Sequence, residues 1–155
     1  LKQFSADDIM ISTVALGAIG DCYMELGDVD EAISYYEKAV KKGGNKLTSP
    51  IYLFKAGLAY EEAQDFESAE KKYERYSACW AAKEAAVKAL GTGFRYSISF
   101  KDIELKSGDG SRPKLNLSGK FLEIMQENNV NYSHISISHE GENAVAVVML
   151  CRVSK

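Results

Sequence analysis

The chain has 155 residues, 46% of them hydrophobic and 26% charged, with a net charge of -3 at pH 7. That length fits one domain or two small ones, and the composition is that of a globular protein. The weak acidity gives no electrostatic footprint for nucleic acid. No apolar run approaches the roughly 18 residues of a membrane span, the longest being Ala144 to Cys151.

The chain opens at Leu1 without an initiator Met, as a fragment or a processed form would, and shows no charged-then-apolar leader. Cys22, Cys79 and Cys151 are odd in number and widely spaced, with no CxxC pair. They are expected to be reduced and buried, which speaks against zinc and for a cytoplasmic protein.

The first elements repeat. Leu16, Ile19, Gly20, Tyr23, Gly27, Ala32, Tyr36 and Ala39 recur 37 residues on as Leu53, Ala56, Gly57, Tyr60, Gln64, Ala69, Tyr73 and Tyr76. Each unit holds two apolar-periodic helical stretches, turning at Gly27-Asp28 or Gln64-Asp65. Each second stretch starts on acidic residues, Asp28, Asp30 and Glu31 or Asp65 and Glu67, which suit the unpaired N–H groups of a helix start. Residues 13 to 76 resemble tetratricopeptide repeats: small residues at Gly20, Ala32, Gly57 and Ala69 for close packing, and large ones at Tyr23, Tyr36, Tyr60 and Tyr73. The usual proline is replaced by Gly44 in the first repeat, and the spacer Gly43 to Pro50 is long. Such arrays commonly hold a peptide or protein partner, although about three repeats are normally needed for a stable array. The tyrosines are expected to serve core packing.

After Tyr76 the pattern changes. Ser77 to Leu90 is an alanine-rich helix, ended by Gly91-Thr92-Gly93. Ser97 to Leu105 is predicted as a strand with a phase slip at Lys101-Asp102, read as a bulge. Gly108-Asp109-Gly110 marks a turn, and Lys114 to Leu117 a short strand. Ser118 is a candidate N-cap for a helix to about Asn129, with Phe121, Leu122 and Met125 on one face. Tyr132 to Ser138 alternates, with Ile135 and Ile137 on one side; Glu140 to Asn143 turns; Ala144 to Val153 is the last strand. The fold class is therefore an all-α helical repeat over 1–76, then α+β with a mostly antiparallel sheet over 77–155.

In the second half, Trp80-Ala81-Ala82-Lys83-Glu84-Ala85-Ala86-Val87-Lys88-Ala89-Leu90-Gly91-Thr92-Gly93 resembles the signature helix of holo-acyl-carrier-protein synthases. Ile98 to Glu104, Pro113-Lys114-Leu115, Ile135 to Glu140 and Ala144-Val145-Ala146 continue the likeness in order. The resemblance implies a 4'-phosphopantetheinyl transferase that moves phosphopantetheine from coenzyme A to a serine of apo-acyl carrier protein, assisted by Mg²⁺ and commonly trimeric, with coenzyme A between protomers. It implies Glu84 as metal ligand, Lys88 and His139 as catalytic residues, and Gly91, Gly93, Pro113 and His139 at the coenzyme A site. Ser111 stands before Arg112 where the family usually has glycine. By type alone, Glu84 and Lys88 would be an exposed ion pair four residues apart, His139 a turn histidine, and His134 a solvent-facing strand residue.

The family's N-terminal strand, with its Gly-x-Asp motif and a second metal carboxylate, has no counterpart before Ser77. Gly20-Asp21 lies in a helical pattern, and Asp28 and Asp30 start a helix. The metal site is thus expected to keep one carboxylate of two, and the enzyme to be impaired. The alternatives are a tetratricopeptide interaction module, or an artificial splice of two proteins with no native activity.

Overall fold

The computed structural model describes residues 9–43, 48–106, 112–140 and 143–153. The Gly108-Asp109-Gly110 turn, Ser111 and Gly44 lie outside them. The chain divides into two compact units, Leu1–Tyr76 and Ser77–Lys155. A single helix runs through the boundary.

The first unit is helical: α1 (Ile9–Glu25), α2 (Val29–Gly43), α3 (Thr48–Glu62) and the start of α4 (Phe66–Leu90). The 37-residue repeat is visible atom by atom. α1 ends with Gly27 N–H bonded to the Met24 carbonyl and Asp28 N–H to that of Tyr23. α3 ends identically, Gln64 to Glu61 and Asp65 to Tyr60. This is the Schellman pairing, which needs a left-handed residue after the helix; Gly27 supplies it at φ +76° and Gln64 at φ +61°. The next helix is capped alike in both repeats. The Asp28 carboxylate accepts from Glu31 N–H at 3.3 Å and that of Asp65 from Ser68 N–H at 3.2 Å.

The small residues are where rings press closest. A Cβ on Gly20 would stand 2.7 Å from the Tyr36 ring, and one on Gly57 2.4 Å from the Tyr73 ring. Ala32, Tyr36, Ala39, Tyr52, Ala56 and Ala59 form the buried core. Two acid–lysine–tyrosine clusters link successive helices. Lys55 and Tyr36 both donate to Asp21 Oδ1, at 2.6 and 2.7 Å. Lys72 and Tyr60 both donate to Glu37 Oε1, at 2.7 and 2.8 Å.

The second unit begins within α4, whose buried face is Ala78, Cys79, Ala82, Lys83, Ala86 and Val87. No glycine or proline interrupts the helix before Gly91, at φ +80°. There the Schellman pairing recurs: Gly91 N–H bonds the Lys88 carbonyl and Thr92 N–H that of Val87. β1 (Ile103–Lys106) pairs antiparallel with β2 (Lys114–Leu117), Ile103 facing Leu117. α5 (Gly119–Glu127) buries Phe121, Ile124 and Met125. β3 (Tyr132–Glu140) and β4 (Asn143–Cys151) form a second antiparallel pair, Tyr132 opposite Cys151.

The fold class matches the sequence reading; two details do not. The strand expected from Ser97 starts only at Ile103, because Phe100–Asp102 is a 3-10 turn. Ser99 caps it, with Asp102 accepting from Ser99 N–H at 3.1 Å; the phase slip at Lys101-Asp102 is this turn, not a bulge. Ser118 is the N-cap of α5, as the sequence suggests, without a side-chain cap bond. The three cysteines are free, yet only Cys79 is buried; Cys22 is exposed and Cys151 intermediate.

Candidate functional site

Four of the sequence-predicted residues lie together at the end of α4. Glu84 and Lys88 share a helix face, as a separation of four residues dictates. Their charged atoms are 3.8 Å apart, with 44% and 77% of the side chains exposed. So open a pair is worth only about 0.5 kcal/mol, which leaves both groups available to a ligand. Gly91 and Gly93 follow, both left-handed, and a Cβ on either would meet nothing within 4 Å. Space above the loop is open, but its amides are taken. Gly91 N–H bonds Lys88, and Thr92 and Gly93 N–H both bond the Val87 carbonyl at 3.2 Å. The loop offers a ligand close approach rather than N–H donors. Between the glycines, the Thr92 hydroxyl is buried without a hydrogen-bond partner.

Pro113 and His139 sit on other elements. Pro113 directly precedes β2 and is half-buried. His139 is exposed near the end of β3, opposite Ala144. His134 is exposed on the same strand and stacks with Tyr132.

One charged residue escaped the sequence reading of the site. Lys83, next to Glu84, is 1% exposed. Its ammonium donates to the Phe100 carbonyl at 2.7 Å and to that of Ile103. Burial pushes the ammonium below the ordinary lysine value, against the opposing influence of Cys79 and Glu104. The signal was present in the spacing, since Lys83 falls four residues after Cys79 and four before Val87, on the apolar stripe of the helix.

Among the described residues, no three or more His, Cys, Asp or Glu are grouped to hold a metal. Nor is any helix among them long and apolar enough to cross a membrane. A shallow groove of about 570 Å³ at the end of α5, lined by Gln126, Asn129, Val130, Asn131, Arg152 and Val153, contains none of the predicted residues.

Fold and site together define an α+β unit whose signature helix presents a carboxylate and an ammonium beside an open glycine loop, a surface that can bear on phosphate oxygens and their counter-ion. The family comparison agrees in kind. Residues 37–148 match the 4'-phosphopantetheinyl transferase superfamily, and residues 14–41 the tetratricopeptide repeat. A holo-[acyl-carrier-protein] synthase of Aliivibrio salmonicida is 35% identical over 124 residues, 80% of this chain and 94% of that protein. One from Maridesulfovibrio salexigens is 51% identical over 74 residues, 48% of this chain and 60% of that protein. The crystal structure of Helicobacter pylori holo-[acyl-carrier-protein] synthase in complex with coenzyme A aligns with a TM-score of 0.46 and 28% identity, over 77% of this chain and 93% of that one. The chain belongs to the 4'-phosphopantetheinyl transferase superfamily.

Proposed function

We propose that residues 77–155 transfer 4'-phosphopantetheine from coenzyme A to a serine of apo-acyl carrier protein, in the cytoplasm. The observation that carries this is the exposed Glu84–Lys88 pair on the helix whose sequence bears the family likeness. The serine oxygen attacks the phosphorus that carries the pantetheine arm. The bond from that phosphorus to the bridging oxygen breaks, adenosine 3',5'-bisphosphate leaves, and the serine proton passes to solvent or a base. Lys88 offsets charge on the diphosphate, Gly91, Gly93 and Pro113 line the coenzyme A site, and His139 sits by the nucleotide. By family likeness the assembly is a homotrimer.

Magnesium, when bound, neutralises charge on the diphosphate oxygens. Its fit here is partial. Glu84 is the one carboxylate this reading assigns to it, and Mg²⁺ uses one or two carboxylates beside substrate oxygens and water. With one carboxylate assigned to the ion, the activity is expected to be reduced. The described residues before α4 form helices only, so none supplies the strand-borne aspartate.

A second role rests on the tetratricopeptide match at residues 14–41: residues 1–76 hold a peptide or protein partner.

The test is mass spectrometry of apo-acyl carrier protein incubated with this chain, coenzyme A and Mg²⁺. A phosphopantetheine-sized gain that disappears with Glu84→Ala supports the reading. No gain from a sample that circular dichroism shows to be folded refutes it.

A further inference from the structure

Lys83 has no part in the chemistry just described, yet among the described residues of the second unit it is the most deeply buried charge. The two carbonyls that accept from it are unusual in what they hold. The Phe100 carbonyl belongs to the 3-10 turn, and the Ile103 carbonyl to the first residue of β1. The Phe100 ring lies between two aromatics. It stacks on Phe94 at 4.0 Å with 14° between planes, and meets Trp80 edge-on at 4.7 Å and 67°. Phe94 directly follows Gly93. The loop from Gly91 to Phe94 is thus fixed at both ends, by the Val87 carbonyl one turn beyond Lys83 and by Phe94 on the Phe100 ring.

We propose that Lys83 is a positioning residue: by holding the carbonyls of Phe100 and Ile103 it sets Phe100, and through the Phe100–Phe94 stack the Gly91–Gly93 loop that meets coenzyme A. The ligand in this inference rests on the function proposed above; the mechanical link does not. An ammonium is suited to the task because its donors diverge from one point, so one side chain can hold two carbonyls at once. Methionine, of similar length and apolar, fills the space and holds neither.

The test compares the full chain with Lys83→Met. The sole tryptophan, Trp80, reports on Phe100 directly. In Lys83→Met, its emission is expected to shift and the amides of Thr92 and Gly93 to exchange faster, while those of Leu122 and Val130 in and after α5 keep their protection. The coenzyme A dissociation constant should rise about tenfold, which corresponds to about 1.4 kcal/mol of lost loop contact. Turnover at saturating coenzyme A should fall far less, whereas a merely structural role would lower stability and leave affinity of the folded fraction unchanged. Should Lys83→Met fail to fold, Phe94→Leu breaks the stack without unpairing a carbonyl. It is expected to free the same amides and weaken coenzyme A similarly. Unchanged Trp80 emission and loop exchange in a folded Lys83→Met, or an unaffected loop in Phe94→Leu, would overturn the proposal. Failure of the wild-type chain to bind coenzyme A would remove the ligand and leave the emission and exchange arms to judge the link.

Discussion

The contact between Gly57 and Tyr73 allows the repeat packing to be tested with its sign fixed in advance. In Gly57→Ala the new Cβ would lie 2.4 Å from Tyr73 Cε1, where ordinary contact begins at 3.4 Å. The ring must retreat by about 1 Å, and overpacking of this kind costs about 1–3 kcal/mol. Against it stands the gain of about 1 kcal/mol from replacing glycine by alanine inside a helix. The net expectation is a loss of about 0–2 kcal/mol. In a Tyr73→Ala background the clash vanishes and the helix gain remains, so the same substitution should stabilise by about 1 kcal/mol. The coupling energy of the cycle is then about 1–3 kcal/mol. Urea unfolding followed by far-UV circular dichroism measures all four corners. A stabilising Gly57→Ala of equal size in both backgrounds would refute the packing argument. The equivalent Gly20→Ala should cost at least as much. Its Cβ meets the Tyr36 ring at 2.7 Å and the Ala32 carbonyl at 3.3 Å, and Tyr36 is held by its bond to Asp21.

Gln64 occupies the left-handed position that Gly27 fills in the first repeat. Gln64→Gly should stabilise by about 0.5–1 kcal/mol, the relief of left-handed strain less the added freedom of the unfolded chain; a lower thermal midpoint would contradict this. The acid–lysine–tyrosine clusters predict the pH limits of the first unit. Burial and the Glu37 carboxylate push the Tyr60 hydroxyl up to about 12 from 10.0. A folded pKa above the unfolded one gives stability that is complete below pH 10 and lost as pH rises through about 12. Tyr60→Phe should flatten that alkaline limb in pH-dependent unfolding, and an unchanged limb would count against the cluster. At Asp21, burial opposes ionisation, but the bonds from Lys55 and Tyr36 prevail and hold the carboxyl below its ordinary 3.8. Its contribution is therefore present above that value and lost as pH falls further.

The helical repeat was legible because its features are periodic. The same residues recur at one spacing, and several recurrences are matched contacts or caps in the structure, among them Gly20–Tyr36 and Gly57–Tyr73 and the caps at Asp28 and Asp65. The turn at Phe100–Asp102 was not legible, because apolar Ile98 and Phe100 alternate as a strand would. What bends the chain there is a reciprocal bond between Ser99 and Asp102, which competes with strand pairing through local side-chain partners. Cys22 was expected inside on residue type alone. Its position on the helix decides otherwise, since the buried face of α1 is Thr13, Gly17 and Gly20. Glu84 and Lys88 were placed on one face by spacing, and the structure puts them there. Pro113 and His139 entered only through family likeness, and no local pattern around them marks them.

Lys83 and Glu84 carry the lesson furthest. They are adjacent and both charged, and residue type alone would assign both to solvent. A helix turns about 100° per residue, so a buried stripe takes two neighbours and leaves out the next, as Ala78-Cys79, Ala82-Lys83 and Ala86-Val87 do. With Cys79, Ala82, Ala86 and Val87 buried, Lys83 falls on the core side and Glu84 on the open one. The same rotation that exposes a carboxylate to a ligand therefore drives an ammonium inward, where it must find acceptors or lose its charge. The carbonyls of Phe100 and Ile103 meet that need. The carboxylate assigned to the ion in the proposed function and the ammonium proposed to steady the loop are thus successive residues of one helix, and a substitution at either should be read for its effect on the other.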